Sequence, residues 1–259
     1  MKANTHAVFG INNHGRDYFV GDIHGRYDRL MKTLKSMRFD MEKDRLFSVG
    51  DLVDRGYENE KVIELLDEPW FHACFGNHEE LFVSAILNPE NEVDVRNHIQ
   101  NGGGWAWEQN DDAKFGVSPK PEAMAQVHKV LEKCHFMMTV ETKNGRIGVI
   151  HADCPRVWPN ADDNVTYDSA LLWARSKPKE AVTFGDYAQP HEVLNVDAVV
   201  HGHESHHEII RNANRVWIDT ADYGEFTIFR DEELIVSARR QLQKHRDLRV
   251  NSGNPWMTP

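Results

Sequence analysis

Apolar positions along this chain fall into two alternating rhythms. Short apolar runs that stop at a glycine give way to stretches whose apolar residues recur three and four positions apart. Residues 17–20 (DYFV) run into Gly21, and residues 26–37 then carry Leu30, Met31 and Leu34 at helical spacing. Residues 45–49 (RLFSV) run into Gly50 and precede a helical pattern at 60–66 (EKVIELL). Residues 71–75 run into Gly76, and residues 78–87 read again as a helix. Three strand–glycine–helix units in succession predict α/β architecture.

The second half is richer in strands. Residues 136–142 and 146–150 flank Asn144 and Gly145, a pair suited to a tight hairpin turn. Residues 196–200, 215–219, 226–229 and 234–237 read as further strands, and 91–116 as a helix followed by loop. Beyond Lys244 a poorly ordered tail (244–259) is expected. No repeat or low-complexity linker divides the chain, so one domain over residues 1–259, with its core at about 17–237, is the expected organisation.

Composition narrows the function classes. An apolar share of 40% over 259 residues permits a sizeable core. The net charge of −11 disfavours nucleic acid, whose phosphates demand a basic face. The basic stretch at 239–249 lacks interleaved aromatics and reads as a solvated helix or tail. Cys74, Cys134 and Cys154 show no CxxC spacing and no disulfide framework, which favours a reducing setting. No leader-like or membrane-length apolar segment is visible, so a cytoplasmic location is expected.

The candidate chemistry sits where the apolar runs end. GDIHG (21–25), GDLVDRG (50–56) and GNHE (76–79) each place metal-capable side chains just past a strand and its glycine. VIHADCP (149–155) and VVHGHE (199–204) add histidines after apolar runs. Singly, these segments read as turns, helix caps or strand-end histidines. Together they put carboxylates, imidazoles and an amide at the carboxyl ends of five strands, where α/β sheets gather functional groups. A set without thiolate argues against a structural zinc knuckle and suits manganese, iron or zinc. Six ligands suit two ions that share a carboxylate, a pair able to activate water against a phosphate.

In this order the motifs resemble those of the calcineurin-like metallophosphoesterases. The branch is the phosphoprotein phosphatases, and the closest likeness is to the phage lambda type serine/threonine phosphatases. SVGDLVDRG (48–56), PWF (69–71), NGGGW (101–105), LLWAR (171–175) and WIDT (217–220) extend the likeness over about residues 17–237. The resemblance implies a central β-sandwich flanked by α-helices in four layers, αββα. It implies a first metal on Asp22, His24 and Asp51, and a second on Asp51, Asn77, His151 and His203, with manganese as the favoured ion. It further implies that His78 is the general acid, oriented by Asp54, and that Arg55 and Arg175 grip the phosphate. Glu79 and Glu80 fit the first turn of a helix, and His203 rather than His201 fits the ligand pattern. Tyr223 is as well explained by packing as by a place beside the site, and an oxidation-sensitive Cys154 stays open.

The expected activity is hydrolysis of phosphoserine or phosphothreonine in proteins or peptides, with phosphotyrosine open as a further substrate. Attack would be direct, since no Cys-x5-Arg loop or DxDx nucleophile motif is present. Diadenosine tetraphosphate hydrolysis or phosphodiester cleavage at the same centre is the alternative. No nucleic-acid or membrane partner is expected, and the oligomeric state is open.

Overall fold

A computed structural model describes residues 4–252, with side chains from 5 to 248. The described residues open with a strand that the apolar pattern did not single out, β1 (Asn4–Phe9). The three strand–helix units follow: β2 (Asp17–Val20) with α1 (Tyr27–Ser36), β3 (Arg45–Ser48) with α2 (Asn59–Glu64), and β4 (Phe71–Ala73) with α3 (Asn77–Leu87). Helix α4 (Glu92–Gln100) starts at Asn91, whose side chain accepts the Val93 amide at 3.1 Å. The region expected to be loop then forms a small antiparallel pair, β5 (Trp107–Gln109) with β6 (Val117–Pro119), and leads to α5 (Ala123–Lys133).

β7 (His135–Glu141) and β8 (Arg146–Ile150) make the expected hairpin, with Gly145 at φ +150° in its turn. A long connection holding α6 (Ser169–Leu172) and α7 (Ser176–Phe184) precedes β9 (Ala198–His201). β10 (Ile210–Asn212), β11 (Arg215–Trp217), β12 (Ile228–Arg230) and α8 (Asp231–Ser252) complete the described chain.

Two expectations fail at this end. Residues 234–237 are not a strand but the second turn of α8, and residues 245–252 continue that helix instead of trailing off. Leu234, Ile235 and Ala238 are buried on one helical face, and Asp231, Glu232 and Glu233 occupy the first turn, where the helix dipole favours acids. Three adjacent apolar residues mimic a strand; the burial spacing identifies the helix. The remainder of the expected tail, residues 253–259, lies outside the described residues.

The strands form two main sheets, ordered β1-β7-β8-β9-β11-β10 and β12-β2-β3-β4. They face one another across Phe19, Phe47, Val49 and Cys74 on one side and Met138, Val140, Ile147, Val149 and Val200 on the other. Alternate residues of the same strands, Tyr18, Val20 and Leu46, point away into a second apolar layer shared with α1, α3 and α5. Central strands buried on both faces need apolar residues at every position, which is why their runs lack polar alternation. Phe47 is fully buried with its ring 5.5 Å from that of Phe19. Truncation to Ala there would cost about 3–5 kcal/mol. No helix among the described residues is long and apolar enough to cross a membrane.

Candidate metal centre

Parallel pairing of β2, β3 and β4 brings their carboxyl ends side by side, and with them Asp22, His24, Asp51 and Asn77. Parallel pairing of β8 with β9 does the same for His151 and His203 in the facing sheet. All six side chains are buried. Of eight non-glycine residues with positive φ among the described residues, five belong to this region: His24, Asp51, Asp54, Arg55 and His203. Left-handed backbone at such residues is sparsely populated and persists only when neighbours enforce it. The Asp51 carbonyl, for instance, accepts the amides of Ile23 and His24 at 3.0 and 2.9 Å.

Two glycines permit close approach. A Cβ on Gly76 would collide with Oδ1 of Asp51, and one on Gly202 with Oδ1 of Asp22. Glu79 fixes the same loop from below. Its carboxylate accepts the amides of Gly76 (2.7 Å), Leu52 (2.8 Å), Asp51 (2.9 Å) and Val53 (3.3 Å). It is therefore a clamp on the Asp51 loop as well as a helix cap. Burial and the Asp51 charge push its carboxyl up to about 8 against the pull of those amides.

The two oxygens of Asp51 face different histidines. Oδ2 lies 3.7 Å from Nε2 of His24 and 3.9 Å from Nε2 of His78, whereas Oδ1 lies 3.3 Å from Nε2 of His151. Two ligand groupings share this carboxylate: His24, Asp51 and His78, and Asp51, His151 and His203, each with atoms within 4.8 Å of one another. The first contains His78 where Asp22 was expected. Asp22 stands at its edge, with Oδ2 4.0 Å from Nε2 of His24 and its oxygens accepting the His203 amide. Asn77 presents Oδ1 2.8 Å from Nε2 of His151 and 2.7 Å from Nδ1 of His203.

These distances fit cation binding. His24 and His151 donate Nδ1–H to the carbonyls of Val53 and Val49, so each turns the lone pair of Nε2 inward. Burial keeps the rings neutral, holding His24 and His203 down at about 3 and lowering His151. Nε2 of His24 is buried without a hydrogen-bond partner. The lone pairs of His151 Nε2, Asn77 Oδ1 and Asp51 Oδ1 converge with no proton to separate them. Such an arrangement is repulsive until a cation enters, and ligand atoms about 2.1 Å from one ion stand roughly 3 Å apart at right angles. Carboxylates tell the same story: burial, then Asp219 and Asp51, raise Asp22 well above its usual range. Burial, with Asp222 and Asp51, pushes Asp219 up to about 7, and its Oδ2 also lacks a partner.

Beside the first grouping, His78 Nδ1 donates to Oδ2 of Asp54 at 2.8 Å. Asp54 is itself held from three directions. Trp105 Nε1 donates to its Oδ1 at 2.8 Å, His98 Nε2 reaches the same oxygen at 3.1 Å, and the Asp54 amide donates to Asn59 Oδ1 at 2.7 Å. Trp107 Nε1 fixes His98 by donating to its Nδ1 at 3.1 Å. Burial would raise the Asp54 carboxyl, but the bonds from His78 and His98 outweigh it and hold it below its usual range. Burial lowers His78, yet Asp51 and Asp54 together raise it above an ordinary histidine. Arg55 Nη2 donates to Nε2 of His78 at 3.0 Å and Nη1 lies 3.3 Å from Oδ2 of Asp222. Arg175 lies farther along the rim, with Nη1 donating to Glu204 at 2.7 Å and to the His203 carbonyl at 3.4 Å.

Several of these partners escaped the sequence reading. His98 lies in the last turn of α4 with nothing local to mark it, and Trp105 and Trp107 aim their N–H groups at the Asp54 network. Asp222, which also pairs with Arg26, carried no motif signal. Of the residues left open, His201 is buried and stacked on Trp217, ring centres 5.0 Å apart, and joins neither grouping. Tyr223 is exposed against His207. Burial pushes the Cys154 thiol up to about 12, which removes the thiolate that oxidation would require.

The sequence profile of the calcineurin-like phosphoesterases matches residues 18–207. Over 222 residues the chain is 28% identical to serine/threonine-protein phosphatase 2 of Escherichia coli (strain K12), covering 85% of this chain and 94% of that protein. Serine/threonine-protein phosphatase 1 of Salmonella typhimurium is 30% identical over 161 residues, 62% of this chain and 68% of the relative. A symmetrical bis(5'-nucleosyl)-tetraphosphatase of Actinobacillus succinogenes is 53% identical over 84 residues, only 32% of this chain and 30% of the relative. A solved structure described as a candidate diadenosine tetraphosphatase superposes with a TM-score of 0.60 at 18% identity, covering 89% of this chain and 95% of that one. At that identity the likeness speaks for the fold alone. The family uses divalent metal ions, and the donor set just described fits them. The chain is a metallophosphoesterase and belongs to the calcineurin-like phosphoesterases.

Proposed function

We propose that the chain is a serine/threonine phosphoprotein phosphatase that hydrolyses phosphomonoesters at a centre of two divalent ions. The observation that carries the reaction is His78, whose Nδ1 is locked on Asp54 while Nε2 faces Asp51 and Arg55. Support for the substrate class comes from extent: the protein phosphatase 2 likeness covers 85% of the chain and the tetraphosphatase likeness 32%.

Asp22, His24 and Asp51 would hold one ion, and Asp51, Asn77, His151 and His203 the other. Manganese is the favoured pair, with iron or zinc as the ions the donors also suit. Bound there, two divalent cations supply a nucleophile from water at neutral pH and offset charge on the phosphoryl oxygens. The chain's own residues then orient the phosphate and move a proton. In the free protein Arg55 donates to Nε2 of His78. A phosphate that draws Arg55 onto its own oxygens frees Nε2 to take up a proton from solvent. His78 delivers that proton to the leaving serine or threonine oxygen, while Asp54 and His98 keep the ring aimed. Arg175, farther along the rim, grips the phosphate once it leaves Glu204.

The test is hydrolysis by metal-stripped protein, with and without added manganese. Its substrates are a phosphoserine peptide, diadenosine tetraphosphate and bis(nitrophenyl) phosphate. Manganese-dependent release of phosphate from the peptide, well above the other two, is expected. The local identity of 53% over 84 residues favours the dinucleotide as second reading, and a preference for it would replace the first.

A further inference from the structure

The second glutamate of GNHEE, Glu80, has no part in the metal centre, yet its carboxylate accepts hydrogen bonds from three side chains. Tyr167 Oη donates to its Oε1 at 2.5 Å, and Trp173 Nε1 and Ser169 Oγ donate to its Oε2 at 2.6 and 3.2 Å. Burial and Glu80 both raise the Tyr167 hydroxyl above its usual range, so it remains a donor. All three donors lie in the long connection between β8 and β9, and Arg175 follows two residues after Trp173. The other end of this tie is α3, which carries His78 in the same turn as Glu80.

We propose that Glu80 is a positioning residue for Arg175. By tying the LLWAR segment to the helix that bears His78, it fixes the reach of the second guanidinium across the substrate phosphate. Leu172 is buried and the Leu171 carbonyl accepts the Asp153 amide, but Trp173 is partly exposed, its ring perpendicular to that of His203 at 6.3 Å, so packing alone does not fix the direction of the Trp173–Arg175 end. Three bonds to one carboxylate supply direction as well as strength, because charge-assisted bonds are short and oriented. The sequence assigned Glu80 to the helix dipole only; the carboxylate instead spans two segments far apart in the chain.

This inference rests on the phosphomonoester reading for the role of Arg175, and the experiment separates the two. Kinetics on a phosphoserine peptide are measured for wild type, E80A, R175A and the double variant, with hydrogen exchange of residues 167–175. E80A is expected to lower kcat/KM roughly tenfold, mainly through KM, and to speed exchange in that segment. In the R175A background, removing Glu80 should change kcat/KM less than about twofold, since interacting residues are not additive. E80Q, which keeps shape and one acceptor, should recover part of the loss. If E80A does not fold, W173F and Y167F remove one donor each and take its place. Equal losses in both backgrounds, or unchanged exchange, would overturn the proposal. Faster exchange in a protein inactive on every phosphomonoester would sustain the tie and overturn the substrate reading instead.

Discussion

Asp51 and Arg55 stand in one loop, four residues apart and both on left-handed backbone, yet their side chains are held by opposite means. Asp51 is 2% exposed, wedged against a glycine, on strained backbone, within a loop whose amides are clamped by Glu79. The Arg55 side chain is 39% exposed and is steadied by Asp222 and His78. Arg175, 41% exposed and paired with Glu204, repeats the second pattern. The metal floor is therefore set by backbone, burial and close contact, and the rim by replaceable ion pairs. A rigid floor suits atoms that must hold ions at fixed spacing, whereas the rim must release its partners when a phosphate arrives.

Substitutions can break this contrast in order of size. Asp51→Asn should lower activity by about a thousandfold or more and deplete both ions, because one carboxylate faces both groupings. Metal analysis checks it: nearly two ions per chain in the variant would refute the bridging role. Gly202→Ala comes next, since its Cβ would strike Asp22, and a loss of about 1–3 kcal/mol in stability with poor metal retention is expected. Chemical denaturation measures it, and wild-type stability with full metal content would show that the floor can yield. His78→Ala should slow phosphoserine hydrolysis by about 10²–10⁴ but nitrophenyl phosphate far less, because nitrophenolate leaves without a proton. Equal losses on both substrates would remove the general-acid role. Asp222→Asn, on the rim, should change kcat/KM by only about two- to fivefold, as partly exposed ion pairs contribute little.

The floor also predicts a pH dependence for the metal-free protein. Asp219 and Glu79, pushed up to about 7 and 8, bind protons more tightly folded than unfolded. Their contribution is therefore full below the unfolded carboxyl range and is lost as pH rises through 7 to 8. His24 and His203, held at about 3, act oppositely, but their effect is complete above the unfolded histidine value of roughly 6.5. Melting temperature without metal should thus fall between about pH 6.5 and 8, and added manganese should lessen the fall. A flat or rising profile without metal would count against the buried carboxyl cluster.

Legibility in the sequence follows the same division. Asp22, Asp51, Asn77 and His151 each end an apolar run, so local order alone places them at strand ends, and the parallel pairings bring those ends together. His98, Asp222 and Glu204 meet their partners only through tertiary approach, and nothing in EVDVRNHIQ marks one histidine as a support for Asp54. Trp105 was closer to reach: a tryptophan after three glycines, in a chain with a buried aspartate to satisfy, is a donor seeking an acceptor. The three strand–glycine–helix units were readable because their periods differ, while α8 was misread because LIV fits both periods over so short a run.

The edge strands bear on how the chain reaches this state. β12 completes the smaller sheet by pairing Ile228 with Val20, and β1 joins the larger by pairing Asn4 with His135. Neither pairing is local, so a nascent chain emerging from the ribosome carries β2 with an unfilled edge until residues 228–230 have been made. Loops of that length close slowly, and the rate of folding should be set by topology more than by stability. A chain ending before Ile228 would retain every proposed ligand of the metal floor and still expose the backbone of β2 to whatever strand it met.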